Sequence, residues 1–561
     1  MARTTFLDKL PGSARRIVLE LDLARGVLET APTNPLQLLR SIGATSLTDL
    51  RANLIEASKD DRVTGLIVHA VECGLPGPVM DEIGGLIEEF GLRKPTMAWA
   101  ESFGELGNSL SAYKLATACQ RIWLQPTGSF GAGGVEVSIT LLKGLLNKAG
   151  VTPQYGQRYE YKTAADRFAA DEVTEANREM TRRLGQSIVD DAVAVIARRR
   201  GVSAEQVWEA VNNSPITPER ARELGLVDDL GYRDQAYAWA MRQWGAEPGQ
   251  LLYVSRFRAR LSLAKAFTRD RPRVAVVTVR GGIVTGRGRP EGLGGQTVGA
   301  DVVDEHLRAV LRDNRTKALI LEVDSPGGSA VASDFIRRTV LRVRESGRPV
   351  VALMGNVAAS GGYYVSMPAD EIIAQPTTIT GSIGVVAGKF VTQGLYDKLG
   401  LKRESIRIGD TAGMLSTSTE FSPEEWERLD AELDRIYQQF TEFAANDRSM
   451  PYEQLESLAR GRVWTGADAH ERGLVDHLGG WALAWERACS LADIDPEEAS
   501  RQDVGTGSFL DQFRTAHSSE HHVGATRVMI PTMDDLLVRA AEVLGIHIHG
   551  ALSLPFDIKV R

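Results

Sequence analysis

The sequence predicts an α/β fold built twice in tandem, and three observations carry that prediction. The chain repeats itself: residues 217–231 read TPERARELGLVDDLG and residues 465–479 read TGADAHERGLVDHLG, with nine of fifteen positions identical at an offset of 248. A period of about 250 is too long for a solenoid and marks a duplicated domain. Each half alternates short apolar runs with stretches of helical periodicity, the pattern of β–α crossovers. The composition, 43% hydrophobic and 25% charged over 561 residues, is globular and excludes coiled coil, collagen and wholesale disorder.

The elements follow in pairs. Residues 17–23 (IVLELDL) alternate like a strand, and residues 65–70 (GLIVHA) form a second strand. Their counterparts in the second half are residues 274–280 (VAVVTVR) and 318–323 (ALILEV). Residues 350–354 and 371–374 follow as strands, with helices predicted over 302–312, 333–345 and 423–446. The last helix has a full start signal: Ser422 as N-cap, Pro423 in the first position, Glu424 and Glu425 in the first turn. Gln125-Pro126-Thr127 recurs as Gln375-Pro376-Thr377, and GSFG at 128–131 resembles GSIG at 381–384.

These pairs divide the chain into an N-terminal repeat (1–245), a basic linker (246–272), a C-terminal repeat (273–496) and an extension (497–561). The linker carries Arg256, Arg258, Arg260, Lys265, Arg269 and Arg271, and reads as a solvated helix or as a contact to an anionic membrane. The extension includes HSSEHH at 517–522, read as a polar segment rather than a metal site.

A net charge of −8 argues against a protein that coats nucleic acid. Cys73, Cys119 and Cys489 are too scattered for a disulfide framework or a zinc site. Neither a GxxxxGK[ST] loop nor an HExxH helix is present, so no metal or cofactor is expected. No apolar run approaches the roughly 20 residues of a membrane span, and residues 1–16 lack the apolar core of a signal peptide. The expected location is therefore cytoplasmic, or peripheral on a membrane.

Chemistry concentrates in two turns. The strand at 350–354 runs into Gly355-Asn356-Val357-Ala358-Ala359-Ser360-Gly361-Gly362 and then an apolar helix. Such a turn sets Ser360 at a helix N-terminus, where unsatisfied N–H groups stabilise an alkoxide or an oxyanion. Equally, small residues there let helix and strand pack closely. The strand at 318–323 ends in Asp324-Ser325-Pro326-Gly327-Gly328-Ser329, whose glycine pair allows a main-chain N–H to approach a substrate, or is simply a turn. A serine nucleophile needs a base. No histidine lies between His306 and His470, and neither His69, His306 nor a tail histidine has supporting context. A neutral lysine is the other option.

Taken together, DSPGGS, GNVAASGGYY, TGSIG and WTGADAHERGLVD resemble peptidase family S49, in the long duplicated form of its signal peptide peptidases. The resemblance covers about 480 residues and implies a ClpP/crotonase-like fold in each half. It implies a serine endopeptidase with a Ser–Lys dyad that degrades cleaved signal peptides or other small apolar peptides. The nucleophile maps onto Ser360, and the base onto Lys162 in Glu160-Tyr161-Lys162-Thr163-Ala164. The N–H groups of Gly361 and of Gly327 or Gly328 would hold the oxyanion. Ser382 would orient Lys162, or serve only as a turn cap; Ser129 occupies the same place in the other copy. A homotetramer and peripheral membrane contact are implied as well. Many members carry an N-terminal membrane helix, a pattern not visible here.

The repeat supports this mapping independently. Lys162 stands opposite Asp410, Ser360 opposite Leu110 (Ser109 or Ser111 with a slip of one), and the glycine pair opposite Gly74-Leu75. One copy keeps the nucleophile and the oxyanion turn, and the other keeps the lysine. Two rival functions share the fold: a crotonase-like acyl-CoA enzyme, and a non-catalytic scaffold. With the dyad, activity is expected to rise through one ionisation at about pH 8–9, as for a lysine partly depressed from about 10.4 by apolar surroundings and by a helix start at 163–168.

Overall fold

The computed structural model describes residues 16–29, 44–105, 107–247, 249–257, 271–288, 297–505 and 552–553. It divides into two compact units. The first takes Met1–Glu136 and Ile188–Thr268, and the second takes Val137–Ser187 and Arg269–Val560.

The first unit is built on a parallel sheet with strand order Asp229–Leu230, Arg121–Leu124, Thr96–Ala100, Val63–His69, Ile17–Asp22, Leu251–Tyr253. Both faces of such a sheet are covered, so alternate residues enter different cores. Leu19, Leu21, Leu66 and Val68 pack on one face against helices Leu47–Lys59 and Gly77–Gly91. Val18, Ile67 and Met97 pack on the other against helix Arg233–Gln243. Glu20, on that second face, is buried but receives hydrogen bonds from Arg233 (2.7 Å) and Tyr237 (2.9 Å). The strand therefore tolerates its acid.

The second unit repeats the plan: His477–Leu478, Glu371–Ala374, Val350–Ala359, Thr316–Ser325, Arg273–Arg280, Ser500–Asp503, again parallel. Ala275, Val277, Leu319 and Leu321 enter one core, and Val274, Val276, Ala318 and Ile320 the other. Even the register irregularity recurs, between Ile17 and Val18 in one sheet and between Arg273 and Val274 in the other. The expected duplication is present at the level of strand order. Helix Pro423–Asp447 starts as predicted, with a capping box between Ser422 and Glu425.

Three features of the structure cross the domain bounds expected from the sequence. Residues 137–187, assigned by sequence to the N-terminal repeat, pack in the second unit. Strand Thr152–Gln157 pairs antiparallel with Val386–Val391, and Arg158 donates to Asp430 (3.1 Å) and to Asp434. The linker expected over 246–272 begins inside the fold: Leu251–Tyr253 is an edge strand, and Val254 and Phe257 are buried. The extension expected from 497 likewise starts with edge strand Ser500–Asp503. Residues 258–270 and the histidine-rich stretch at 517–522 lie outside the described residues.

Candidate active site

Strand Val350–Ala359 is five residues longer than the apolar run at 350–354 suggested. Its small-residue end, expected as a turn, is held as strand because Val357, Ala358 and Ala359 pair with Ile379, Thr380 and Gly381. Thr380 Oγ1 also donates to Ala358 O (2.8 Å). The chain then turns sharply at Ser360, which has φ 54° and ψ −112°, into helix Gly361–Ser366. A non-glycine residue with that φ is strained, and the paired strand on one side and the helix on the other hold it there. Ser360 N–H donates to Gly381 O (2.8 Å), while Gly361 opens the helix, where an N–H has no intrahelical acceptor.

The glycine pair lies alongside. A Cβ placed on Gly361 would be 3.0 Å from Gly327 Cα and 3.1 Å from Gly328 N. Gly328, at φ +152°, presses on strand Gly282–Val284 so closely that a Cβ would sit 2.1 Å from Ile283 O. Gly327 N–H donates to Ser325 Oγ (3.1 Å), which in turn donates to Gly281 O (2.7 Å). Asp324 accepts from Val357 N–H (3.1 Å) and from Arg280 (2.9 Å), tying this turn to the strand that ends at Ser360. Leu552–Ser553 pairs antiparallel with the glycine pair.

Lys162 is 1% exposed, and its Nζ lies 2.8 Å from Ser360 Oγ, 2.9 Å from Ser382 O and 2.9 Å from Ser382 Oγ. A neutral amine has one lone pair and two N–H groups. Two N–H donors for the two Ser382 oxygens leave the lone pair for the Ser360 hydroxyl. Two apolar clusters take in the chain around Lys162: Met180, Leu184, Ala359, Ile379 and Val463 with Tyr161, and Ala164, Ala165 and Val386 with Tyr155. Burial lowers the Lys162 pKa from 10.5 to about 7, further than the alkaline value the sequence suggested. The helix expected over 163–168 is shorter, Asp166–Ala169, and burial alone accounts for the lowered pKa.

Ser360, Lys162, Ser382, Gly361, Gly327 and Gly328 thus come together in the second unit. The histidine alternatives do not. His69 sits between Asp22 and Glu101 (2.7 Å each), His306 against Gly505, and the tail histidines lie outside the described residues. In the N-terminal copy Tyr113 donates to Leu226 O as Tyr363 does to Leu474 O, which sets Leu110 opposite Ser360, while Ser109 precedes helix Leu110–Ala116 as Ser360 precedes Gly361–Ser366. Asp410 is exposed. Sequence reasoning missed Ser325, the Ser382 carbonyl, and the Arg460-Gly461-Arg462 segment behind Lys162; glycine between two arginines ahead of the WTG motif was the available signal. Among the described residues no cluster of His, Cys, Asp and Glu could hold a metal ion, and no helix is long and apolar enough to cross a membrane.

Comparison with known proteins identifies the family. The model of peptidase family S49 matches residues 90–247 and 342–495, one region in each repeat. The chain is 32% identical over 460 residues to the chloroplastic serine protease SPPA of Arabidopsis thaliana, covering 80% of this chain and 66% of that one. It is 31% identical to protease 4 of Salmonella typhi (80% and 72% covered) and 29% identical to protease 4 of Haemophilus influenzae (81% and 74% covered). Among solved structures, a ClpP1 mutant of Listeria monocytogenes is similar at 16% identity and a TM-score of 0.24, over 40% of this chain and 99% of that one. A family model that matches both halves, and relatives that align across four fifths of the chain, place it: the chain belongs to peptidase family S49, a serine peptidase with a duplicated α/β fold.

Proposed function

We propose that the chain is an endopeptidase working through a Ser360–Lys162 dyad on extended apolar peptides, cleaved signal peptides among them. The observation that carries this reading is the buried amine at 2.8 Å from the hydroxyl of a strained serine. Lys162, neutral, takes the Ser360 proton as Oγ attacks the peptide carbonyl. The resulting ammonium keeps three oxygen acceptors. The tetrahedral oxyanion receives the N–H of Gly361 and that of Gly328, Gly327 N–H being engaged by Ser325. The ammonium passes its proton to the leaving amine, and the acyl group stays on Ser360. Water then attacks the ester, Lys162 takes its proton, and Ser360 leaves as the hydroxyl with the proton returned.

Ser382 orients the amine through both its oxygens in this reading, which gives it more than a capping role. The pairing of Leu552–Ser553 with Gly327–Gly328 indicates that this edge accepts an antiparallel strand, the way an extended substrate would add. A homotetramer and peripheral membrane contact, implied by the family resemblance, complete the proposal. Ser360→Ala and Lys162→Ala test it. Each is expected to fold and to lose activity, since a general base alone contributes about 10²–10⁴ in rate. Retention of more than about a tenth of the activity in either variant would sink the dyad.

A further inference from the structure

The amine of Lys162 is held from a segment that the mechanism leaves unused. Arg460-Gly461-Arg462 precedes strand Val463–Thr465 and runs behind the lysine. Gly461, at φ +81°, packs so tightly that a Cβ on it would sit 2.4 Å from Lys162 Cβ and 2.5 Å from Lys162 N. Any other residue there pushes the lysine away. The same segment holds Ser382: Gly461 N–H donates to Ile383 O (2.8 Å), and Ser382 N–H donates to Arg462 O (2.7 Å). Ser382, at φ 52°, then presents its two oxygens to the amine.

The two arginines grip the residues just before Lys162. Arg460 donates to Glu160 through Nε (3.1 Å) and Nη2 (3.0 Å) and lies over the Tyr159 ring at 4.4 Å. Arg462 lies over the Tyr161 ring at 4.6 Å and donates to Glu179 (2.6 Å). Tyr159 and Arg460 both have positive φ, so this meeting point is held in a conformation that neither residue favours alone.

We propose that Arg460-Gly461-Arg462 is a positioning clamp that seats Lys162 Nζ on Ser360 Oγ and keeps water from the amine. The inference rests on the dyad reading. None of the three residues meets the reacting atoms; they act through Lys162 and Ser382. The clamp matters for rate because a displacement of about 1 Å at a reacting pair costs about 10²-fold.

The test exchanges the charges of the outer pair in the full-length chain. Glu160 and Arg460 are both well exposed, so their ion pair adds little to stability and its loss should leave the fold intact. With a fluorogenic apolar peptide, Glu160→Arg and Arg460→Glu should each lower kcat at least about tenfold while KM stays within about twofold. The midpoint of the pH profile should rise as water reaches the amine. The double exchange should restore most of kcat and return the midpoint. Gly461→Ala should lower kcat more than either; if it does not fold, the charge exchange decides alone. Single variants with unchanged kcat and midpoint, or a double variant no better than the worse single, overturn the clamp. Lys162→Ala run in parallel separates the two ideas: an active Lys162→Ala removes the dyad itself, whereas a dead one beside unaffected single exchanges removes only the clamp.

Discussion

Replacing Lys162 by methionine should abolish activity and at the same time make the protein more stable at neutral pH. The amine is wholly buried among apolar residues, and its pKa falls from 10.5 to about 7. Below about pH 7 both folded and unfolded chains carry the proton, and the full cost of burying a cation is present. Between about 7 and 10.5 the unfolded chain binds more protons than the folded one, so wild-type stability rises with pH through that window. At pH 7 the cost is about 4 kcal/mol, from about 1.4 kcal/mol per pH unit. Methionine removes that cost but also the contacts to Ser360 and Ser382, at about 1 kcal/mol each. The variant should therefore be about 1–2 kcal/mol more stable at pH 7 and about 2 kcal/mol less stable at pH 10, with the sign changing near pH 8–9. Equilibrium urea unfolding of both proteins at the two pH values measures this. A variant less stable by the same margin at both would refute the claim that Lys162 is a desolvated amine.

The same pKa predicts that kcat/KM rises with a single ionisation near pH 7 and levels off above about 8, losing about 50-fold between pH 7 and 5; a midpoint at 9, or a flat profile down to 5, would contradict it. Ser382→Ala removes one acceptor but leaves the carbonyl, so it should lower kcat about tenfold and shift the pH midpoint, whereas a mere turn cap would move neither. Gly328→Ala drives a Cβ into Ile283 O and should cost at least about 10² in kcat with little change in KM for an apolar peptide; unchanged kcat would remove Gly328 from the oxyanion site.

Much of the architecture was legible because the duplication is. The alternation in residues 17–23 and 274–280 places successive residues in two different cores, and the structure returns the same strand order twice. What escaped has physical causes. Thr152–Gln157 (TPQYGQ) and Ser500–Asp503 (SRQD) lack apolar alternation and become strands only by pairing with partners far along the chain. Residues 355–359 read as a turn because they are small, yet their smallness lets the strand continue between two neighbours. Ser360 was marked by its position between a strand and a helix. Lys162, in an unremarkable EYKTA, needed the family resemblance and the decay of Asp410 to stand out. Gly461 stayed hidden because its role is the absence of a side chain against a residue about 300 positions away.

In the proposed mechanism Ser360 is a nucleophile made reactive by Lys162. Intact-mass spectrometry after reaction with a fluorophosphonate at pH 8, followed by peptide mapping, tests it most directly. One adduct is expected, on Ser360, absent in Ser360→Ala and formed at least about 10² more slowly in Lys162→Ala. An adduct on another residue, or equal labelling rates with and without Lys162, would contradict it.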